Sequence, residues 1–143
     1  MITCTRRIEF DAAHRILNHE SKCKMLHGHR YVLEATFSIK ELDDLGRVID
    51  FGVIKEILGS WIDANFDHNT ILSKDDTDLG KKISEITGQE IFYLNENPTA
   101  ENIAKFLFEE ICPDLFAGKD VTCSSLKLYE TPNCHVNVSN NNS

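Results

Sequence analysis

Two stretches of this chain alternate between apolar and polar residues so regularly that they constrain its fold before anything else does. In ITCTRRIEF, residues 2–10, Ile2, Cys4, Ile8 and Phe10 fall on one side and Thr3, Thr5, Arg7 and Glu9 on the other. That period of two is the mark of a half-buried strand. RYVLEATFSI alternates again, with Tyr31, Leu33, Ala35, Phe37 and Ile39 on one face. Extended backward by the same alternation, this face gains His27 and His29, and Gly28 between them leaves the opposite face open.

The remaining elements follow from helical spacing and capping residues. In DFGVIKEILGSWIDANF, Ile54, Ile57, Leu58, Trp61 and Ile62 recur at helical intervals behind Asp50 as N-cap. In NPTAENIAKFLFEEICP, Thr99 is a good N-cap, Ile103, Phe106, Leu107 and Ile111 form the apolar stripe, and Pro113 is expected to stop the helix. EIFYL, SSLKLYE and CHVNV read as short strands, the last two joined by a turn at Thr131-Pro132-Asn133. Asp75, Asp76 and Asp78 read as a solvated loop or a helix start, because the rest of a calcium-loop pattern is missing. This order predicts an α+β fold, an antiparallel sheet with helices on one face.

At 143 residues the chain is expected to form one domain, 1–143, with a disordered tail from about residue 139. No apolar run approaches the ~18 residues that span a bilayer, and the N-terminus lacks the continuous hydrophobic segment of a signal peptide. A cytoplasmic protein is therefore expected. Its five cysteines, an odd number without a CxxC pair, are expected to be reduced. The net charge of −8 argues against nucleic-acid and anionic-membrane partners. Yet residues 1–30 carry six Lys/Arg against three Asp/Glu, the one basic part of the chain. Such a segment suits either a solvated strand face or a pocket for a small polyanion.

The chemistry concentrates in CKMLHGHRY, residues 23–31. His27 and His29 offer two imidazoles from one strand face, and His14, ending the neighbouring strand, is the best third ligand for a zinc ion with an open fourth position. Cys23 fits two roles, a fourth ligand of a closed structural site or a thiolate beside the metal, its pKa lowered by Lys22 and Lys24. A closed site would make a non-catalytic zinc-binding oligomer; zinc-bound water without the thiol would make a hydrolase. Asp67 and His68 can act as a carboxylate orienting an imidazole, provided a turn lets adjacent side chains meet. Glu130 shares the strand parity of Leu126 and Leu128 and so ends an inward row, where a carboxylate needs donors such as a heterocycle's NH and NH2.

Taken in order, FDAAH, CKMLHGHRY, VIDFGVIK, FDHNTIL, NPTAENIAKFL and LYETP resemble the 6-pyruvoyltetrahydropterin synthase family, in its 6-carboxytetrahydropterin synthase branch. The resemblance covers almost the whole chain. It implies a tunnelling fold (T-fold) of four-stranded antiparallel sheets with two helices on one side, assembling as trimers or hexamers with active sites between subunits. It also implies zinc on His14, His27 and His29, Cys23 as the catalytic cysteine, Asp67 and His68 as the proton-transfer pair, Glu130 as the anchor of the pterin ring, and Thr99 as a further substrate-binding residue. The implied substrate is 7,8-dihydroneopterin triphosphate. This branch releases acetaldehyde and triphosphate on the way to queuosine, whereas the pyruvoyl branch eliminates triphosphate without losing carbon. The three residues between Cys23 and His27 resemble the first branch. The segment 73–94 is longer than in compact members of the family.

Overall fold

The computed structural model describes residues 1–18 and 24–140. Strand β1 (Thr3–His14) and strand β2 (His27–Ser38) form an antiparallel pair along their full length, from Thr3 opposite Ser38 to His14 opposite His27. Helix α1 runs through Phe51–Ile54, a π-helical turn Lys55–Gly59 and Ser60–Asn65. Strand β3 (Asn69–Ser73), helix α2 (Thr77–Thr87) and strand β4 (Phe92–Leu94) follow. Helix α3 comprises Ala100–Phe106, a π-helical turn Leu107–Ile111 and Cys112–Leu115, and strands β5 (Thr122–Thr131) and β6 (Cys134–Ser139) complete the described fold.

All six strands join one sheet in the order β4-β3-β1-β2-β5-β6. The expectation of four antiparallel strands is therefore corrected. The antiparallel part is β1, β2, β5 and β6, while β3 pairs parallel to β1 and β4 parallel to β3. Parallel neighbours need a crossover, usually a helix, and α2 supplies it between β3 and β4. The long segment 73–94 thus builds a βαβ unit on one edge of the sheet. Its apolar residues Leu79, Ile83 and Ile86 recur at helical spacing, but Leu79 and Ile83 are only half-buried and Ile86 is exposed. A stripe of three residues in a polar stretch is a weak helix signal.

The two expected helices cover one face. Asp50 accepts from the Gly52 amide at 2.8 Å and Thr99 from the Asn102 amide at 3.1 Å, so each cap satisfies a free N–H of the first turn. Ile54, Leu58 and Ile62 of α1 and Ile103, Ala104 and Leu107 of α3 are buried against Phe10, Tyr31, Leu33, Phe37, Leu126 and Leu128 of the sheet. Phe10 stacks on Tyr31 with ring centroids 5.0 Å apart and meets Phe66 at 5.7 Å. Each such fully buried side chain contributes roughly 1.5–3 kcal/mol, and truncating Phe10 to Ala would cost about 3–5 kcal/mol. Pro113 does not stop α3, which continues to Leu115. The proline sits in the first turn of Cys112–Leu115, just after the π-helical turn, where a missing N–H breaks no required bond. Ser139 closes β6 instead of opening a tail, and residues 141–143 lie outside the described residues. Among the described residues no helix is long and apolar enough to cross a membrane.

Candidate metal and proton-transfer site

Cross-strand register brings the three histidines together. His14 stands opposite His27 and Ala12 opposite His29, so His14, His27 and His29 lie on the core face at the end of the β1–β2 pair, and the small Ala12 leaves room beside them. The rings meet edge to face, with centroids 4.7 Å apart for His14–His27, 5.2 Å for His14–His29 and 4.8 Å for His27–His29. On β5, Leu128 faces Leu33, and Glu130 two residues on comes to the same cluster. Its Oε1 lies 3.0 Å from His29 Nε2 and 4.0 Å from His14 Nε2.

Hydrogen bonding at the far side of two rings fixes what the near side can do. His14 Nδ1 donates to the Pro98 carbonyl at 2.7 Å and His27 Nδ1 to the Met25 carbonyl at 2.7 Å. A carbonyl only accepts, so each Nδ1 carries a proton, and in the neutral form of either ring Nε2 is left as a lone pair. These two Nε2 atoms face each other at 3.2 Å. Burial pushes the pKa of His14 and of His29 below the ordinary histidine value, against the nearby Glu130 charge, which keeps both rings neutral. His29 Nε2 is buried and, although close to Glu130, has no partner with hydrogen-bond geometry.

Neutral imidazoles with lone pairs converging and opposite nitrogens on backbone carbonyls form the donor set and outer support that zinc takes. Ligand nitrogens about 2.0–2.1 Å from a tetrahedral ion stand about 3.4 Å apart, close to the His14–His27 spacing. The residues present therefore fit a metal ion, and His14, His27, His29 and Glu130 all offer ligand atoms within 4.8 Å of one another. Beneath them, burial and the Glu130 charge raise the Tyr31 phenol far above its ordinary pKa, so its hydroxyl, 3.2 Å from His14 Nδ1, stays protonated.

Asp67 and His68 meet in the turn between α1 and β3. His68 adopts φ 58°, a left-handed conformation that non-glycine residues rarely take, and this lets adjacent side chains face each other, with His68 Nδ1 2.9 Å from Asp67 Oδ2. The other carboxylate oxygen, Asp67 Oδ1, accepts from the Asp11 amide at 2.9 Å, and the His68 amide donates to the Asp11 carbonyl at 2.6 Å. The hydrogen bond and charge of Asp67 raise the pKa of His68. Burial alone would push Asp67 up, but the Asp11 amide and the His68 ring together hold its carboxyl below the usual range. Beside this pair an open cavity of about 450 Å³ touches Gly28, His29, Arg30, His68 and Gln89. A larger cleft of about 960 Å³, lined by Met1, Lys40, Leu42 and Asp120, lies where β1 begins and β2 ends and contains none of the candidate site residues.

Cys23 and Lys22 lie outside the described residues. Thr99 caps α3 immediately after Pro98, whose carbonyl orients His14. Three of the four arginines of the basic segment are drawn to carboxylates: Arg15 to Asp76, Arg30 to Asp11 and, more loosely, Arg7 to Glu9. Sequence reasoning missed Asp11, Tyr31, Gln89 and the Arg15–Asp76 pair. Glu130, far in sequence from the histidines, lies in contact range of them.

Comparison with known proteins gives this geometry a family. Residues 3–141 match the model of the family described as 6-pyruvoyl tetrahydropterin synthase. The chain is 59% identical over 138 residues to a protein of Rickettsia felis named 6-carboxy-5,6,7,8-tetrahydropterin synthase, covering 96% of this chain and all of that one. A Haemophilus influenzae protein of the same name is 30% identical over 138 residues, covering 92% and 94%. Among solved structures, an uncharacterized protein from Wolinella succinogenes matches with a TM-score of 0.80 at 23% identity, covering 97% and 98%. The 6-pyruvoyl tetrahydropterin synthase of Caenorhabditis elegans matches with a TM-score of 0.70 at 21% identity, covering 97% and 95%. These last two are likenesses of fold. With the family match spanning nearly its full length, the chain belongs to the 6-pyruvoyl tetrahydropterin synthase family.

Proposed function

We propose that this protein is a zinc-dependent 6-carboxy-5,6,7,8-tetrahydropterin synthase, converting 7,8-dihydroneopterin triphosphate to 6-carboxytetrahydropterin with release of acetaldehyde and triphosphate. The observation that carries the reading is the convergence of three imidazoles, those of His14 and His27 with Nδ1 bound to backbone carbonyls and that of His29 with a buried Nε2 lacking a hydrogen-bond partner. Relatives 56–59% identical over 96% of the chain bear the name of this enzyme.

In this reading His14, His27 and His29 hold the zinc, which when bound acts as a Lewis acid toward oxygens of the substrate side chain. Glu130 accepts hydrogen bonds from the pterin ring, and Thr99 contributes to substrate binding. Cys23 removes a proton from the side chain and His68, held by Asp67, exchanges protons on the other side. The raised pKa of His68 keeps it charged to higher pH than an ordinary histidine, which suits a group that must give a proton before it takes one.

The active unit in this reading is a cytoplasmic homo-oligomer, a trimer or hexamer, because β6 ends the sheet as an edge strand with exposed Cys134 and His135 and an open ladder that a second copy can pair. A fully active monomer in sedimentation would remove that part. Product analysis tests the reaction: acetaldehyde together with triphosphate supports it, and triphosphate without acetaldehyde would assign the pyruvoyl-forming reaction instead.

A further inference from the structure

Helix α2 is attached at its two ends to the two chemical groups of the site. Asp76 occupies its N-cap position, where an aspartate side chain ordinarily accepts from the first-turn amides. Here it makes no cap bond. Both carboxylate oxygens go to Arg15 instead, 2.6 Å from Nε and 2.5 Å from Nη2, and Asp76 is only 3% exposed. A carboxylate so deeply buried is tolerable because its two oxygens meet the guanidinium fork. Arg15 directly follows His14. Asn97 grips the same exit two residues on, accepting from the Leu17 amide at 3.0 Å and donating to the Leu17 carbonyl at 3.1 Å.

At the other end, Gly88 terminates the helix in a left-handed conformation, φ 78°, with its amide on the Ser84 carbonyl at 2.9 Å. This turns the chain so that Gln89 Nε2 donates to the His68 carbonyl at 3.1 Å and the Glu90 carbonyl accepts from Asn69 Nδ2 at 2.7 Å. These bonds flank the one residue of the proton-transfer pair whose backbone is in a disfavoured conformation, which needs its surroundings to hold it there. Between the ends, Gly80 lies against Tyr93 of β4, so closely that a Cβ there would overlap the tyrosine hydroxyl. The helix is thus seated directly on the Tyr93 ring, which lies between Gly80 and the β4 backbone.

We propose that α2 is a positioning strut of the active centre: Asp76, through Arg15, sets the strand end that carries His14, and Gln89 sets the left-handed turn that carries His68. The inference deepens the proposed function and rests on it for the roles of those two histidines. Asp76 is buried against Arg15, and Gln89, which lines the cavity beside the pair, is assigned its role through the His68 carbonyl it holds.

The test uses the full chain with Asp76→Asn and Gln89→Ala, and Lys82→Ala on the exposed side of α2 as a control. Metal-stripped protein is titrated with zinc against a chromogenic chelator. Asp76→Asn should weaken zinc binding about tenfold, as loss of an outer-shell support does, while Gln89→Ala and Lys82→Ala leave it unchanged. Gln89→Ala should shift the His68 ring resonances in NMR spectra and lower kcat about tenfold with KM unchanged, the pattern of a misplaced proton-transfer group. Unchanged zinc affinity in Asp76→Asn, or unmoved His68 resonances in Gln89→Ala, overturns the strut. The zinc and NMR arms need no substrate, so they decide the strut even if the pterin triphosphate is not turned over. Should Asp76→Asn fail to fold, the Gln89 arm decides alone.

Discussion

Nε2 of His14 and Nε2 of His27 face each other at 3.2 Å while Nδ1 of each ring is bound to a backbone carbonyl, those of Pro98 and Met25. Two lone pairs at that distance repel unless a proton or a cation lies between them. Burial disfavours the proton on His14, and a metal ion between the two nitrogens would relieve the repulsion.

Zinc should accordingly bind at about one ion per chain, and His27→Ala should lose nearly all of it. Metal content of the purified variant checks this. Chelation should also lower the melting temperature, because a ligand bound only by the folded state stabilises it, by about 4 kcal/mol when present at a thousandfold its Kd. Full zinc occupancy in His27→Ala would take this residue out of the site.

Glu130→Gln should damage pterin binding far more than zinc binding. One carboxylate oxygen becomes an NH2 donor set against ring donors, and a buried group left unpaired costs about 1–3 kcal/mol, roughly ten- to hundredfold in affinity. Because Glu130 Oε1 stands 3.0 Å from His29 Nε2, the variant also decides whether this carboxylate is a ligand. Zinc retained with pterin affinity lost supports the anchor; zinc lost would make Glu130 the fourth ligand.

Much of this site was legible because strand alternation is a strict rule. It placed His27 and His29 on the face of Tyr31 and Leu33, and strand pairing added His14. Glu130 was legible as an inward residue, but its contact with His29 depends on the register of Leu33 against Leu128, for which no local signal exists. The meeting of Asp67 with His68 rests on a positive φ that sequence does not announce. Helix α2 is legible only at its start, one of the two readings that Asp75, Asp76 and Asp78 allow, because its stripe of Leu79, Ile83 and Ile86 is short and incompletely buried; the burial of Asp76 depends on a partner 61 residues away.

Arg15→Ala should destabilise the fold by about 3 kcal/mol, since it strands the buried Asp76 carboxylate without its partner. Arg15→Lys keeps the charge but loses the two-pronged bond and should fall between. Urea denaturation midpoints of the three proteins give the order. Equal midpoints would mean the pair contributes nothing to stability.

The Asp67–His68 pair should leave a signature in pH titration. His68 has its folded pKa raised, by the hydrogen bond and charge of Asp67, so it stays protonated above the usual histidine range near 6.5. Its contribution to stability is present below its unfolded pKa and is lost as pH rises through the folded one. Asp67 is depressed, so its contribution is present above the unfolded carboxylate pKa and is lost as pH falls through the folded one. NMR titration should find the His68 midpoint lowered in Asp67→Asn. An identical midpoint in both proteins would dissolve the pair.

Carbon–carbon cleavage is read most directly from the yield of acetaldehyde when the zinc-loaded protein is given 7,8-dihydroneopterin triphosphate. Acetaldehyde and triphosphate should form in equal amounts, and both should be abolished in His27→Ala. Triphosphate released with no acetaldehyde, or neither product from fully zinc-loaded protein, would contradict the proposed cleavage.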